Sequence, residues 1–546
     1  LDHAWGRLTT EDLRIGDSIS DNAEEWWSQA RRGHDITPAA LDVVSCFDRT
    51  KERMAAAQRQ LRHWVIRHLK NRLLPDTAAE IPRRRRFIGR SIDPLVSEET
   101  DKGIAVSGDA LLPFLLAARA TSHAPDARPV FAEGLASSYE AFLHTRRSDS
   151  ADRTDGDDDK YKDAKETDSM KWYLDHLQTL IPRDGAADES HPKIAATVRR
   201  AVDIWRRGEK SVVFCHYVVT GRILRQRISA AIQSEMITLG AAKLGCPNDE
   251  VMSELERIGK RFFDEDSPIR RACDAEARKL VARYPTLAEY QDDLIEIVRR
   301  NVRTPSFLVR FFPLGRERLE AEAMLEALDS KDLSGQTLRQ LINQFLLFLV
   351  ERCGTAGRER YISAVKRIQT GAHAGVDVSR EYDDDELQGE KPEHILANVR
   401  LVNGRTQSET RQRLMLTFNT PFYPEILIAS SVMAEGVDLH LNCRHVLHHD
   451  LCWNPSTLEQ RTGRVDRIGA KAEACGQSIQ VYIPYIEETQ DEKMYKVVMD
   501  RERWFNVVMG EDYKVDVRTT EKLANRIPFP TAAANELAFQ LGVVKS

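Results

Sequence analysis

Residues 460–469 read QRTGRVDRIG, and the eight residues before them read CWNPSTLE. Three arginines, Arg461, Arg464 and Arg467, recur every three residues around Gly463. The Asn-Pro pair ahead of them signals a turn, and the stretch after it is expected to be helical. Residues i and i+3 share one face of a helix, so Arg464 and Arg467 are expected to point the same way. Two guanidiniums side by side repel unless an anion compensates them. Asp466 and Glu459 are near enough in sequence to serve. A triphosphate would serve better, because its oxygens match the forked donors. The same pattern also fits a plain solvated helix face, and spacing alone does not choose between them.

The neighbouring segments alternate in kind. EILIASS (425–431) and SIQVYIPY (478–485) are short runs rich in β-branched residues and read as strands, and HVLHHD (445–450) reads as another strand between them. The NPSTLEQRTGR helix lies between the last two, and a helix from about Thr489 into RWFNVVMG closes the series. Further back, VRLVNG (399–404) precedes the helix SETRQRLMLTFN. Earlier still, the amphipathic helix IAATVRRAVDIWRRG ends at Gly208, KSVVFCHY (210–217) is a strand, and TGRILRQRISAAI (220–232) opens another helix. Strand, turn and helix in repetition predict an α/β fold with a parallel sheet.

The rest of the chain divides by composition. Residues 1–145 read as a mainly helical region. Within it lie RMAAAQRQLRHWVIRHLKNRLL (53–74) and a helical pair over 105–145. Pro82 and the arginine run 83–86 break that pattern, as a solvated basic linker or as a contact to a phosphate backbone. Residues 146–170 are nearly devoid of apolar side chains and read as an acidic, flexible linker. Residues 171–234 begin the α/β lobe, 235–396 interrupt it as a charged helical insertion, and 397–510 complete it. Residues 511–546 form a C-terminal extension. In the insertion, Leu338, Leu341, Ile342, Phe345, Leu346 and Leu349 make one apolar helical face, stopped by Gly354; an acidic loop near 381–390 follows.

Bulk properties narrow the class. Of the 546 residues, 42% are hydrophobic, which is globular composition. Lys and Arg number 79 against 85 Asp and Glu, a net charge of −6, so the whole chain does not advertise a nucleic-acid binder, although a local basic groove is compatible with it. The apolar run 342–350 is too short for a bilayer, and no membrane partner is expected. The eight cysteines are scattered, without a CxxC pair or a base-paired nucleophile, which fits a reduced cytoplasmic setting. HVLHHD invites a metal reading through His445, His448, His449 and Asp450. Strand alternation sends His448 and His449 to opposite faces, so no metal site is expected. Trp453 is expected to pack. The chain begins at Leu1 and reads as a fragment.

The stretch ILIASSVMAEGVDLHLNCRHVLHHDLCWNPSTLEQRTGRVDRIG resembles motifs V and VI of superfamily-2 helicases. It is most similar to the Swi/Snf-type ATPases, with their D-x-x-W-N-P followed by Q-R-x-G-R-x-x-R-I-G. KSVVFCHYVVTGRILRQRI resembles motif IV and its helix, LVNGRTQSETRQRLMLTFN the loop segment that follows, and LRHWVIRHLKNRLL...IP the connector out of a first lobe. The resemblance covers 190–235 and 397–510, more thinly 55–85. It implies a RecA-like parallel-sheet lobe with a large helical insertion, preceded by a mainly helical N-terminal region. It also implies roles. Arg464 and Arg467 would be arginine fingers on a γ-phosphate, with Gln460 and Arg461 beside them in the nucleotide cleft. Gly436 and Asp438, in EGVD, would hold the turn that couples nucleotide to DNA. Ser430, Ser431, Gly404 and Thr406 would donate to DNA phosphates, and His216 and Tyr217 would approach the nucleic acid from the end of their strand. Taken alone, Gly404 could be only a turn residue and Asp438 only a cap.

Two motifs of a complete motor are absent from the sequence: a G-x-x-x-x-G-K-[ST] loop and a D-E-x-x strand end for Mg²⁺. The expectation is therefore the C-terminal half of an ATP-dependent DNA translocase, inactive by itself. ATP and Mg²⁺ would be bound mainly by a first RecA-like lobe, upstream or on a partner chain. The DNA would be double-stranded and contacted without regard to sequence, since backbone contacts carry no base information. The alternative is a catalytically inactive lobe that serves as a nucleic-acid-binding or assembly scaffold. Bacterial Swi/Snf-like relatives recycle RNA polymerase or serve in phage-defence systems such as DISARM and Zorya; the defence role, with defence-complex proteins as partners, is the expectation here.

Overall fold

Short β-branched runs with no polar face build the centre of the molecule. SVVF, VRLV, ILIA and CRHVLH lie in four strands whose every residue is buried, as expected for parallel strands covered on both sides. The computed structural model describes residues 1–5, 7–8, 23–33, 37–61, 84–96, 102–122, 128–147, 168–180, 191–315, 320–368, 370, 395–404, 406–430, 438–452, 454–509 and 529–537. Gly436, Ser431 and Trp453, the stretch 148–167 of the acidic linker and the acidic loop 381–390 lie outside the described residues.

Six strands form one sheet: β1 Arg84–Ile88, β2 Lys210–Phe214, β3 Val399–Val402, β4 Ile426–Ala429, β5 Cys443–His448 and β6 Ile479–Ile483. Their order is β1-β6-β5-β2-β4-β3, and every pairing is parallel. Val213 in β2 is flanked by Ile428 of β4 and Leu447 of β5. Helix Pro192–Arg206 starts with Pro at its first turn, capped by His191 Nδ1, which accepts from the Ile194 N–H at 3.3 Å. Its buried face carries Ile194, Ala201, Ile204 and Trp205 into the sheet's core. Helix Val218–Leu244 follows β2 directly and ends at Gly245, whose φ of 67° supplies the left-handed cap.

That helix runs past residue 235 without a break, so the insertion begins as its continuation. Among the described residues, seven α-helices and one 3-10 helix follow between Val251 and Lys366. Among them, Leu338–Glu351 is capped by Thr337 and Gln340 in a reciprocal box and buries Ile342, Phe345, Leu346 and Leu349. The helix stops at Glu351; Gly354 caps the next one instead. These helices enclose an apolar core of their own, built around Leu255, Phe262, Leu308 and Leu349.

The arginine run near residue 83 is not a linker. Arg84, Arg85 and Arg86 open β1, the edge strand of the sheet, which pairs with β6 from Arg84↔Ile479 to Ile88↔Ile483. One polar-lined edge suffices for a strand that has a single neighbour, and charge there discourages pairing with other chains. The region 105–145 holds three helices, Leu111–Ser122, Arg128–Ser137 and Tyr139–Arg147, where a pair was expected. The end of the expected linker is also ordered: helix Asp168–Leu180 starts inside it.

The chain divides into two compact units. The larger, 72–451 with 458–492, contains the sheet and the insertion. The smaller joins 1–71, 452–457 and 493–546. Within it the two ends of the chain share a core: Trp5 meets Phe529 with ring centroids 4.9 Å apart, Trp27 meets Phe47 at 4.6 Å, and Lys51 pairs with Glu536 at 2.6 Å. No described helix is long and apolar enough to cross a membrane.

Candidate functional site

Ligands of parallel α/β sheets gather outside the carboxyl ends of the strands. Here β5, β2, β4 and β3 end side by side, and the chain leaving each end carries one of the sequence-predicted residues. His216 and Tyr217 follow β2, half-buried, their rings 5.1 Å apart and edge-on. The His216 N–H donates to Asp450 Oδ2 at 2.7 Å, and Ser137 Oγ donates to the same oxygen at 3.1 Å. Ser430 extends the β3–β4 ladder, its N–H donating to the Val402 carbonyl at 3.0 Å, and its side chain is buried. Gly404 is exposed after β3. Thr406 is buried, and its hydroxyl is engaged with Asn403: it accepts from the Asn403 N–H at 3.0 Å and donates to Oδ1 at 3.3 Å. Gly404 and the half-buried His216–Tyr217 pair are thus the more open positions on this edge.

The arginine segment sits beyond β5. Asn454 Oδ1 accepts from the Ser456 N–H at 3.0 Å and starts helix Pro455–Thr462. The helix stops at Thr462, so Arg464 and Arg467 do not share a helical face as the spacing predicted. The chain instead winds through tight turns: Gly463 N donates to Glu459 O at 2.7 Å, Arg464 N to Arg461 O at 3.2 Å, and Asp466 N to Thr462 O at 2.9 Å. A Cβ at Gly463 would lie 3.1 Å from the Glu459 carbonyl, a contact close enough that the turn would have to give by a few tenths of an ångström.

Each arginine goes to a different place. Arg461 turns inward and is fully buried. Its Nη1 donates to the Asp450 carbonyl at 3.1 Å, and its guanidinium lies over the Phe214 ring at 5.5 Å. Arg464 is half-buried, and Gln460 is exposed. Arg467 is ion-paired with Asp438 and also donates from Nε to the Gly463 carbonyl at 3.2 Å. The two arginines are therefore not both uncompensated. The carboxylates named from the sequence, Glu459 and Asp466, are held by Arg84 of β1.

The turn is laced to the segment after Asp438. Leu439 N donates to the Arg464 carbonyl at 2.9 Å, and Lys471 N to the His440 carbonyl at 2.8 Å. Asn419, just past helix Ser408–Phe418, pins that segment from the other side: Nδ2 donates to the Asp438 carbonyl at 2.5 Å, and Oδ1 accepts from Leu441 N at 3.2 Å. Sequence reasoning passed over Asn419 and read Arg84 only as part of a basic run. An asparagine after a helix reads as an ordinary terminator, and nothing local reveals a partner far along the chain.

The histidines of HVLHHD part ways. His445 Nε2 meets Glu209 at 2.6 Å, His448 Nε2 meets Thr462 Oγ1 at 3.0 Å, and His449 lies between Thr197 and the Ser137 carbonyl. Burial, with Arg461 next in effect, holds His448 well below its ordinary pKa and hence neutral. Among the described residues no three His, Cys, Asp or Glu side chains gather as a metal site.

Comparison with known proteins bears on this edge of the sheet. Residues 380–469 match the family model of the helicase conserved C-terminal domain. The chain carries a helicase C-terminal domain. The match spans β3, β4, β5 and the arginine turn, and the α/β architecture is that of a RecA-like lobe with a large helical insertion. The chain is similar to the uncharacterized ATP-dependent helicase YqhH of Bacillus subtilis, 30% identical over 121 residues, which are 21% of this chain and 21% of that protein. It is similar to the RNA polymerase-associated protein RapA of Pseudomonas putida, 36% identical over 75 residues, 14% of this chain and 7% of RapA. RapA of Yersinia pestis is 42% identical over 65 residues, 12% of this chain and 6% of that protein. The matched part thus spans about a fifth of YqhH and under a tenth of either RapA. Among solved structures, the C-terminal part of the Fun30 ATPase domain aligns at 13% identity and a TM-score of 0.17, over 53% of this chain and 89% of that one.

Proposed function

We propose that this chain is the C-terminal half of an ATP-dependent DNA translocase with a helicase-like motor, and that its P-loop half lies outside this chain. In this reading Arg464 and Arg467 are the arginine fingers, with Gln460 beside them, and Mg²⁺ is held with the P-loop half. The observation that carries the reading is the lacing of the arginine turn onto residues 438–440 by the Leu439–Arg464 bond and the Arg467–Asp438 pair. The fit to a triphosphate is chemical. Arg467 is partly exposed, and the carboxylate it now holds is the kind of anion that a γ-phosphate would replace. Arg461, by contrast, contributes from within, by tying helix Pro455–Thr462 to the end of β5. Gly436 and Ser431 keep the roles that the resemblance gives them.

DNA would lie across the strand ends, with His216, Tyr217, Gly404, Thr406 and Ser430 along its path. Exposed Gly404 supports close backbone approach to a phosphate. The proteins served, RNA polymerase as for the RapA relatives or members of a defence complex, belong to the same proposal.

One observation favours the second reading, an inactive scaffold: Arg467 already has a carboxylate partner, so the fold does not require a nucleotide to compensate it. DNA-stimulated ATP hydrolysis separates the two. The protein that includes the P-loop half should turn over ATP only with DNA, and Arg464→Ala/Arg467→Ala should abolish turnover while DNA is still bound. The 546-residue chain alone should hydrolyse negligible ATP. If the double variant turns over as the parent does, the finger assignment is lost; if neither protein turns over although both bind DNA and nucleotide, the scaffold reading stands.

A further inference from the structure

Arg84 is the first residue of β1, yet its side chain belongs to the arginine turn. Nη1 donates to Glu459 Oε2 at 2.8 Å, and Nε donates to Asp466 Oδ2 at 2.8 Å. Glu459 immediately precedes Gln460, and Asp466 lies between Arg464 and Arg467. One guanidinium therefore bridges both ends of the segment that carries the candidate fingers. We propose that Arg84 is a positioning residue for that turn, a brace that fixes its two ends and withholds its two carboxylates from Arg464 and Arg467. This rests on the proposed function only where it speaks of turnover.

Three features make the brace effective. First, its foundation is fixed. β1 is hydrogen-bonded along its length to β6, Phe87 stacks on Tyr482 with centroids 4.9 Å apart, and Arg200 lies over both rings at 5.7 and 5.2 Å. Second, the contact is sheltered. The Arg84 side chain is 25% exposed and that of Asp466 is 8% exposed, so screening by water is reduced. Burial by itself would lower the Arg84 pKa, but Glu459 and Asp466 more than offset it and hold the guanidinium above its ordinary value. Third, the geometry needs a fork. Two carboxylates approach Nη1 and Nε of one planar group, and the single ammonium of lysine cannot reproduce that arrangement.

The electrostatic consequence is specific. Asp466 is the chain neighbour of Arg467, and without Arg84 it is the nearest anion by sequence for either finger. A finger engaged by a local carboxylate is withdrawn from a developing phosphate charge. Arg84 draws both acids toward β1, and Asp438, from another segment, is the carboxylate that the Arg467 side chain meets as an ion pair.

Hydrogen exchange on the 546-residue chain tests the brace directly. Arg84→Ala should speed exchange of amides 463–469 about tenfold or more, a local opening, while β2 and β4 stay protected. Arg84→Lys should fall between the two. Glu459→Gln/Asp466→Asn, which leaves β1 untouched, should loosen the same amides and guards against a folding defect in the Arg84 variants. Unchanged exchange over 463–469 in both sets, or equal acceleration throughout the sheet, overturns the proposal. In the protein that includes the P-loop half, Arg84→Ala should lower kcat about tenfold and move KM for ATP less than about twofold, because the loss is of orientation. If amides 463–469 loosen yet Arg464→Ala/Arg467→Ala turns over normally, the brace stands and the finger assignment falls. If they loosen, the fingers matter, and Arg84→Ala leaves kcat unchanged, the positioning role falls.

Discussion

The Arg467 guanidinium is ion-paired with the Asp438 carboxylate, joining the arginine turn to the residues just after EGV. Their side chains are 38% and 51% exposed, and pairs this open contribute at most about 1 kcal/mol to folding. Asp438→Asn and Arg467→Ala should therefore each melt within about 3 °C of the parent chain. In the protein with its P-loop half, Arg467→Ala should instead reduce DNA-stimulated turnover about a thousandfold. Calorimetry and a steady-state ATPase assay on the same preparations separate the two effects. A large drop in melting temperature would make the pair structural.

Glu209 should behave in the opposite way. It lies just before β2 and is buried among three basic groups: Arg444 at 2.9 and 2.7 Å, His445 at 2.6 Å and Lys471 at 3.1 Å. Lys471 also reaches Asp332 of the insertion at 3.1 Å. Burial opposes the Glu209 charge, but Lys471, His445 and Arg444 hold its carboxyl well below the usual range. Glu209→Ala should cost about 3–5 kcal/mol, since it leaves buried Arg444 without its carboxylate and Lys471 with Asp332 alone. Urea denaturation measures it; a loss under about 1 kcal/mol would mean that the cluster is wet or rearranges.

Acid should weaken the large unit through His191 and His449, in addition to the buried neutral His448. Burial drives both pKa values down from 6.5, to about 3 and about 4. Each ring is used as neutral imidazole: His191 donates from Nε2 to the Leu135 carbonyl and accepts at Nδ1 from Ile194 N. Above pH 6.5 both folded and unfolded chains hold these rings neutral, and nothing is lost. Below it the unfolded chain takes up protons that the folded chain refuses. Stability should then fall by about 1.4 kcal/mol per pH unit for each ring, until the pH reaches its folded value. Denaturation midpoints between pH 7.5 and 5 should show that slope. His449→Gln should reduce it by one ring's share, and an unaltered slope would refute the assignment.

Arg461→Met should be nearly neutral for the fold. The guanidinium is fully buried with one hydrogen bond, to the Asp450 carbonyl, while Nε and Nη2 find no hydrogen-bond partner among the described residues. A buried charge so thinly satisfied gives back in desolvation much of what it gains. An apolar chain of similar length that keeps the Phe214 contact should melt within about 1 kcal/mol of the parent. A loss of several kcal/mol would show that the carbonyl bond and the ring contact outweigh the buried charge. Should turnover of the complete motor vanish with the melting temperature unchanged, Arg461 leaves its buried site during the cycle.

Some of this was open to a reader of the sequence and some was not. SVVF, ILIA and HVLH declare buried strands by composition, because a strand covered on both faces tolerates few polar residues and favours β-branched ones. Strand–turn–helix order around 190–235 and 397–510 follows from local periodicity, as does the apolar face of helix Leu338–Glu351. These signals extend over a few residues, and neighbouring residues fix them. The arginine spacing was legible as an anion-seeking pattern for the same reason.

What only the tertiary structure decided depends on partners far apart in the chain. RRRFI has no strand signature; it becomes β1 because the edge of β6 offers it a ladder. Helix Pro455–Thr462 ends before the last two arginines, where Arg464 N and Val465 N turn to the Arg461 and Thr462 carbonyls in tighter i→i−3 bonds, so an i, i+3 spacing that implied one face did not give one. Arg461 goes into the core, Arg467 goes to Asp438, and the acids Glu459 and Asp466, one before the arginines and one among them, go to Arg84. The two ends of the chain, separate regions by composition, close on one aromatic core. Composition and periodicity determine which segments are strands and helices, since backbone preference is short-ranged. The assignment of each charge to its partner was left to the fold, since ion pairing depends on distances that only packing sets.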